Sequence, residues 1–297
     1  MIQYIDRKTG RVCIEKVFGE RILELLYGDG LVSRIFYYTL LPLLSHSFLV
    51  SHIYGYLKKL PSSRSQIEPF IREYGIDTTE FAEAEFRSFN DFFIRKLKPD
   101  CRPIVFDPHR AALPADGRYL VYPVFDRFFV KGQEFSLESF LQDPVLARRF
   151  AEGSMLIARL CPVDYHRFHF PCDGVASSAK LINGPLYSVN PIAIRKRVAI
   201  LSENKRMVTE IDTKSFGTIL YVEIGATSVG SIRQTYPPNA SVCKGQEKGY
   251  FEFGGSCIVL LFEKGRIAFD SDLIENTKKG FETLCHFGES MGSIPNH

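Results

Sequence analysis

The sequence has no tryptophan, no Cys-x-x-Cys pair among its seven cysteines, no internal repeat and no low-complexity tract. Nor does it open with a basic segment, an apolar core and a small-residue cleavage site, because MIQYIDRKTGRVCIEK is mixed throughout. Each absence removes a class. Without paired cysteine spacings a zinc site has little support, and no metal is expected. An odd cysteine count without a secretory signal indicates a reducing, cytoplasmic setting rather than a disulfide-stapled fold. A net charge of +3 and a pI near 8.4 are too mild for a nucleic-acid partner, which needs a concentrated basic face. They suit an anionic substrate or surface without demanding one. With 45% hydrophobic and 24% charged residues, the chain is neither disordered nor fibrous.

Aromatic area is plentiful, with 25 Phe and 14 Tyr for a core or an apolar ligand pocket. The length of 297 residues allows one large domain or two small ones. The apolar stretch from Ile35 to Leu57 approaches the length of a membrane span, but Pro42, His46, His52 and Gly55 interrupt it. Pro42 predicts a helix end or kink at Leu41. Phe36, Tyr37, Tyr38, Tyr54 and Tyr56 near the ends, with Lys58 and Lys59 behind them, suit a bilayer interface. A buried hairpin in the protein's own core fits the composition equally well. PSSRS at 61–65 reads as a linker.

Residues 66–97 predict helix in two or three pieces, with Asp77-Thr78-Thr79-Glu80 as a cap and Phe89, Phe92, Phe93 and Leu97 as a core stripe. From 104 onward, short β-like runs appear at Tyr119–Val124, Met155–Leu160, Val198–Leu201, Met207–Ile211, Thr218–Ile224 and Cys257–Phe262. One helix, around Leu137–Ala151, interrupts them. Strands without a β-α-β rhythm indicate an α+β fold: a mainly antiparallel β domain over 66–297, after an N-terminal helical region over 1–65.

Three stretches can carry chemistry. Leu113-Pro114-Ala115-Asp116-Gly117-Arg118 places an acid beside Gly before a strand, which alone reads as a turn. Asp164-Tyr165-His166-Arg167-Phe168-His169 holds two histidines three apart. In extended chain they face opposite ways, which favours separate acid–base roles over a shared metal, although two structural histidines would look the same. Gly254-Gly255-Ser256-Cys257 precedes the strand-like Ile258–Phe262; such a turn supports hydroxyl chemistry only with a base and an orienting acid.

Their order and flanks are more specific. YIDRKTGRV, SFNDFFIRKLKPDCRPI, LPADGR, DYHRFHFPCDG, LYSVN, IGATSVGSI and KGQEKGYFEFGGS together resemble the phosphatidylserine decarboxylase family over nearly the whole chain. The resemblance implies a proenzyme that cuts itself at Gly255–Ser256, leaving a large chain 1–255 and a small chain 256–297. It assigns His169 as base and Asp116 as its orienting acid. Ser256 would attack the Gly255 carbonyl, and elimination would turn its remnant into a pyruvoyl cofactor. A ketone is needed because no ordinary side chain delocalises the carbanion left by loss of CO2. His166 would then protonate Cα. Substrate and product would be phosphatidylserine and phosphatidylethanolamine.

Implied partners are the membrane surface, met peripherally through the N-terminal helices at the cytoplasmic face of the cell membrane, and the two cleaved chains as a heterodimer. A homo-oligomer of that unit stays open. Arg195-Lys196-Arg197 would meet anionic headgroups or form a solvated turn. Two positions depart from the family's usual Leu-Gly-Ser-Thr: Gly254 replaces Leu and Cys257 replaces Thr. Those departures keep two alternatives in view, a lipid-directed serine hydrolase with a lasting Ser256 nucleophile and a non-catalytic lipid-binding relative.

Overall fold

Three largely apolar and almost wholly buried runs, Ser154–Leu160, Gly217–Gly225 and Ser256–Phe262, the latter two with several β-branched residues, lie side by side at the centre of an eleven-stranded sheet. The computed structural model describes residues 2–28, 30–46, 48–124, 128–130, 133–196, 199–226, 231–254 and 256–295, without the side chains of 42–44, 46, 48–52, 128–130, 133–135, 195 and 196. On one side of the central trio the sheet continues through Arg206–Thr213, Gly174–Ala176 and Ala240–Val242. On the other it continues through Gly117–Tyr122, Glu282–Cys285, Gln3–Asp6 and Val12–Ile14. Its pairs are antiparallel except that of Gln3–Asp6 with Glu282–Cys285. The mixed architecture with mainly antiparallel sheets is the expected one.

The two faces of the central strands bury different cores. Cys257, Val259 and Leu261 pack with Leu26, Tyr27 and Leu41 from the helices α1 (Glu20–Tyr27) and α2 (Leu31–His46). Ile258, Leu260 and Phe262 pack with Phe168, Phe170 and Phe251 from a small sheet formed by Arg167–His169, Glu247–Phe251 and Ile232–Gln234. After α3 (Phe48–Lys59) and α4 (Ile67–Tyr74), the short helix α5 (Phe89–Phe93) completes a third core of Phe70, Phe81, Phe86, Phe89, Phe92, Phe93 and Phe253. The predicted Phe89, Phe92 and Phe93 stripe is therefore core, with Leu97 packed at its edge.

Several local expectations change. Ile200–Glu203 is helical rather than extended, because a short apolar run fits a buried helical turn as well as a strand; Val198 lies outside the described residues. The helix expected over 137–151 is split into Leu137–Leu141 and Pro144–Arg149. Asp143 caps the second piece by accepting from the Val145 and Leu146 amides, ahead of a proline at the first helical position. The Leu31–His46 helix continues past Pro42. The PSSRS segment is a 3-10 helix, Pro61–Gln66, whose buried Ser63 hydroxyl accepts from the Phe89 amide at 2.9 Å. Residues 3–6 and 12–14 are strands of the main sheet, so the N-terminal region is helical only from Glu20.

Candidate active site

Ser256 opens its strand, opposite Leu160 on one side and Gly225 on the other. It is fully buried, and its Oγ has no hydrogen-bond partner among the described residues. The chain reaches it through Gly254, held at φ 141°, a left-handed conformation that a Cβ disfavours. Gly254 holds that conformation without the strain a side chain would bring. Gly255 lies outside the described residues. Cys257 turns to the opposite face of the sheet, where burial pushes its thiol up to about 12. It is a neutral core group there.

Upstream of the bond, Phe253 anchors the loop. Its amide donates to Asn90 Oδ1 at 2.9 Å, and its ring contacts Phe89, Phe93, Tyr54 and Phe18. Lys58 Nζ sits 5.0 Å from the same ring, and Lys59 pairs with Glu252 at 2.8 Å. The helix α3 therefore touches the two residues before Gly254.

The two histidines diverge as their spacing predicts. His166 is fully buried against Phe93, with ring centroids 3.8 Å apart. Its Nδ1 lies 3.0 Å from the Asp164 carbonyl, and its Nε2 is buried without a partner. His169 stacks on Phe287 at 3.7 Å and 15°. Its Nδ1 is also buried and unpartnered. Burial pushes His166 down to about 3 and His169 down to about 4, so both rings are neutral at physiological pH. Gly249 permits the close packing of the small sheet that carries Phe168, because a Cβ there would meet the Arg233 carbonyl at 2.0 Å and the Phe168 ring at 2.9 Å.

Asp116 is buried between Arg102 and the 287 backbone. Arg102 Nη2 donates to Oδ2 at 2.7 Å, and the Phe287 amide donates to Oδ1 at 2.8 Å. Asp116 thus reaches His169 through the Phe287 ring and through its charge, which favours the imidazolium. No hydrogen bond joins Ser256 Oγ to either imidazole in this arrangement.

A cavity of about 420 Å³ runs from the helices to Gly254 and Leu160, both neighbours of Ser256 in sequence or across the sheet. Phe18, Ile22, Leu23, Leu26, Leu41 and Tyr54 give it apolar walls, and Glu15, Arg118 and Arg159 stand at its polar end. Arg159 holds Glu15 and Glu282, with Nη2 2.6 Å and 2.5 Å from their carboxylates, and Arg118 bonds Asp164. Sequence reasoning missed this ion cluster, although Arg118 stands in the LPADGR motif. It also missed Arg95, Arg102 and Phe287. Glu15 and Glu282 come from opposite ends of the chain, so no local pattern signals them. Of IGATSVGSI, residues 227–230 lie outside the described residues, as do the side chains of Arg195, Lys196 and Arg197.

The frame of the candidate site is therefore an α+β fold with a buried serine, two neutral buried imidazoles and a mainly apolar cavity that reaches Gly254 and Leu160. The chain's family is found by comparison. The family model for phosphatidylserine decarboxylase matches residues 89–293. The chain is 47% identical over 295 residues to a phosphatidylserine decarboxylase proenzyme of Chlamydia pneumoniae, covering 98% of this chain and 96% of that one. It is 47% identical over 298 residues to that of Chlamydia muridarum, covering 97% and 96%. To the proenzyme of Chlamydia trachomatis serovar D it is 45% identical over 294 residues, again covering 97% and 96%. The chain belongs to the phosphatidylserine decarboxylase family.

Proposed function

We propose that this chain decarboxylates phosphatidylserine to phosphatidylethanolamine on a pyruvoyl group made from its own Ser256. The observation that carries the reading is Ser256 itself: a buried, unpartnered hydroxyl at the first residue of a central strand, reached through a glycine in a left-handed conformation. That setting fits the group. The hydroxyl is not spent on a structural hydrogen bond, and the strand holds residue 256 in place if the bond before it is cut. When present, the ketone supplies an electron sink for the carbanion left by CO2.

The chain's own residues do the rest. His169, neutral and with a free Nδ1, is the base for the Ser256 hydroxyl. Asp116 favours the resulting imidazolium by its charge and fixes the ring through Phe287. His166, on the Phe93 side, acts in decarboxylation. The apolar cavity walls receive acyl chain, and the polar end beside Leu160 receives the headgroup.

The same reading gives the helices of the 1–65 region the membrane-associating role and 66–297 the decarboxylase domain, whose main sheet also takes in the strands Gln3–Asp6 and Val12–Ile14. Leu31, Val32, Ile35 and Tyr38 are exposed on α2, and Ile53, Tyr56 and Leu57 on α3, which suits a peripheral hold on the cytoplasmic face of the membrane. No described helix is long and apolar enough to cross a bilayer.

Intact mass spectrometry tests the core of the proposal. Two chains are expected, 1–255 and 256–297, the second lacking a free α-amine. Ser256→Ala is expected to remain one chain and to form no phosphatidylethanolamine. A Ser256→Ala protein cut at the same bond, or a free serine at the small chain's terminus, overturns it.

A further inference from the structure

The proton that His166 delivers needs a source. The Asp164 carbonyl can only accept, so the 3.0 Å contact requires that His166 Nδ1 carry the hydrogen. Nε2 then presents a lone pair, buried and without a partner. In this state the ring is a base, not an acid.

Beside it lies a buried cation that the reaction scheme leaves unused. Arg95, directly after α5, is only 4% exposed. Its hydrogen bonds go to backbone carbonyls: Nη2 donates to Val163 O at 3.0 Å and to Asp164 O at 3.2 Å, and Nη1 to Phe92 O at 3.5 Å. Its Nε is unpartnered, and the guanidinium sits 5.0 Å and 5.1 Å from the Phe92 and Phe81 rings. No carboxylate pairs with it directly. The Asp164 carbonyl therefore accepts from Arg95 and His166 at once, which sets a positive charge with no directly bonded carboxylate among the described residues one oxygen away from the imidazole.

We propose that Arg95 is a positioning residue for His166: through the shared Asp164 carbonyl and its own charge, it keeps the imidazole neutral with the proton on Nδ1, so that Nε2 meets the substrate as a base. The inference rests on the reading that His166 serves decarboxylation. The incoming serine amine is an ammonium and must lose a proton before its nitrogen can bond to a carbonyl carbon. Nε2 takes that proton. After CO2 leaves, the electron pair on Cα takes it back from Nε2. The oxygen displaced from that carbonyl carbon would leave as water with the amine's two other hydrogens, so the proton lost by nitrogen to Nε2 is the proton gained by carbon, and the ring ends as it began. Burial is the main cause of the depressed imidazole, the hydrogen bond to the Asp164 carbonyl opposes it, and the Arg95 charge adds a smaller depression. The other charged or titratable groups facing Arg95 are Asp116, Asp164, Tyr165 and Arg102, and Asp164 is itself taken up by Arg118.

The test is ¹⁵N NMR of histidine-labelled full-length protein, with His166 assigned by its loss in His166→Ala. At pH 6 the wild-type ring is expected to be neutral and protonated at Nδ1. In Arg95→Met its titration should rise by about one pH unit or more, while Arg95→Lys should leave it low. The acid limb of kcat/KM for phosphatidylserine should move upward in the Met variant and stay in the Lys variant. A charged His166 or an Nε2–H tautomer in wild type overturns the proposal, as do equal effects of Met and Lys. If Arg95→Met does not fold, the wild-type tautomer and the Lys variant decide. His166→Ala that is fully cut yet keeps full turnover would instead refute the role of His166, a separate failure.

Discussion

Ser256 Oγ, His169 Nδ1 and His166 Nε2 are three buried polar atoms without partners among the described residues, all in the stretches that the family motifs single out. Leaving such a group unpaired costs about 1–3 kcal/mol, so their concentration marks reactive rather than structural roles. Ser256→Ala should therefore abolish cleavage without lowering the thermal midpoint, because it removes an unsatisfied hydroxyl; a marked fall in Tm would contradict that view. The histidines add a pH dependence whose sign is set by their depressed folded values of about 3 and 4 against 6.5 when unfolded. The unfolded chain binds the extra protons, so this stability is present above pH 6.5 and is lost as pH falls toward 4. Each histidine forfeits about 1.4 kcal/mol for every pH unit crossed in that window. Urea unfolding at stepped pH should show uptake of up to two protons across it, and His169→Phe should remove one. Asp116→Asn takes the charge from a buried pair with Arg102 and should cost about 3–5 kcal/mol as well as slow processing. Intact mass against time and denaturant titration read the two effects separately.

Among the elements, the cleavage loop and the helices are joined by Phe253. This ring sits in the core made by α4 and α5 while touching Tyr54 of α3. Phe253→Ala should cost about 3–5 kcal/mol and slow self-cleavage, since the stem before Gly254 loses its anchor. Retained cleavage rate in a folded Phe253→Ala protein would show that the anchor is irrelevant to the reaction. The exposed apolar residues of α2 give a second expectation. Replacing Leu31, Val32, Ile35 and Tyr38 by Gln should weaken flotation with anionic liposomes while leaving two-chain processing intact. Such surface changes test the helix better than deletion of residues 1–60. Deletion would also remove the strands Gln3–Asp6 and Val12–Ile14 and the buried Glu15, which belong to the main sheet and its ion cluster.

Across the whole molecule, the segment 256–297 that the proposed cleavage would make a separate chain is not a peripheral tail. Ser256–Phe262 lies between Gly217–Gly225 and Ser154–Leu160, and Glu282–Cys285 lies between Gly117–Tyr122 and Gln3–Asp6. Cutting before Ser256 breaks one bond but none of these ladders. The two chains should therefore co-elute as one particle under native conditions and separate only in denaturant. Free small chain at neutral pH would mean that the sheet does not survive processing.

Much of this was legible in one dimension. The alternating or continuous apolar runs at 119–124, 155–160, 207–211, 218–224 and 257–262 became strands, the first ending already at Tyr122, because periodicity and β-branched content are local properties. The three-residue spacing of His166 and His169 was enough to separate them. Gly254, Ser256 and Asp116 stood out once the motifs were taken together in order. Tertiary structure alone decided the rest. A run such as 198–201 carries no signal that separates strand from buried helix, and the surrounding core made Ile200–Glu203 helical. Glu15 and Glu282 meet Arg159 only because a parallel pairing brings the first strand beside the last long segment. Arg95 gains its place by His166 through the Asp164 carbonyl, a backbone atom that no residue identity encodes. Burial of the two imidazoles, which holds them neutral, is a property of the packed molecule and not of any stretch of its sequence.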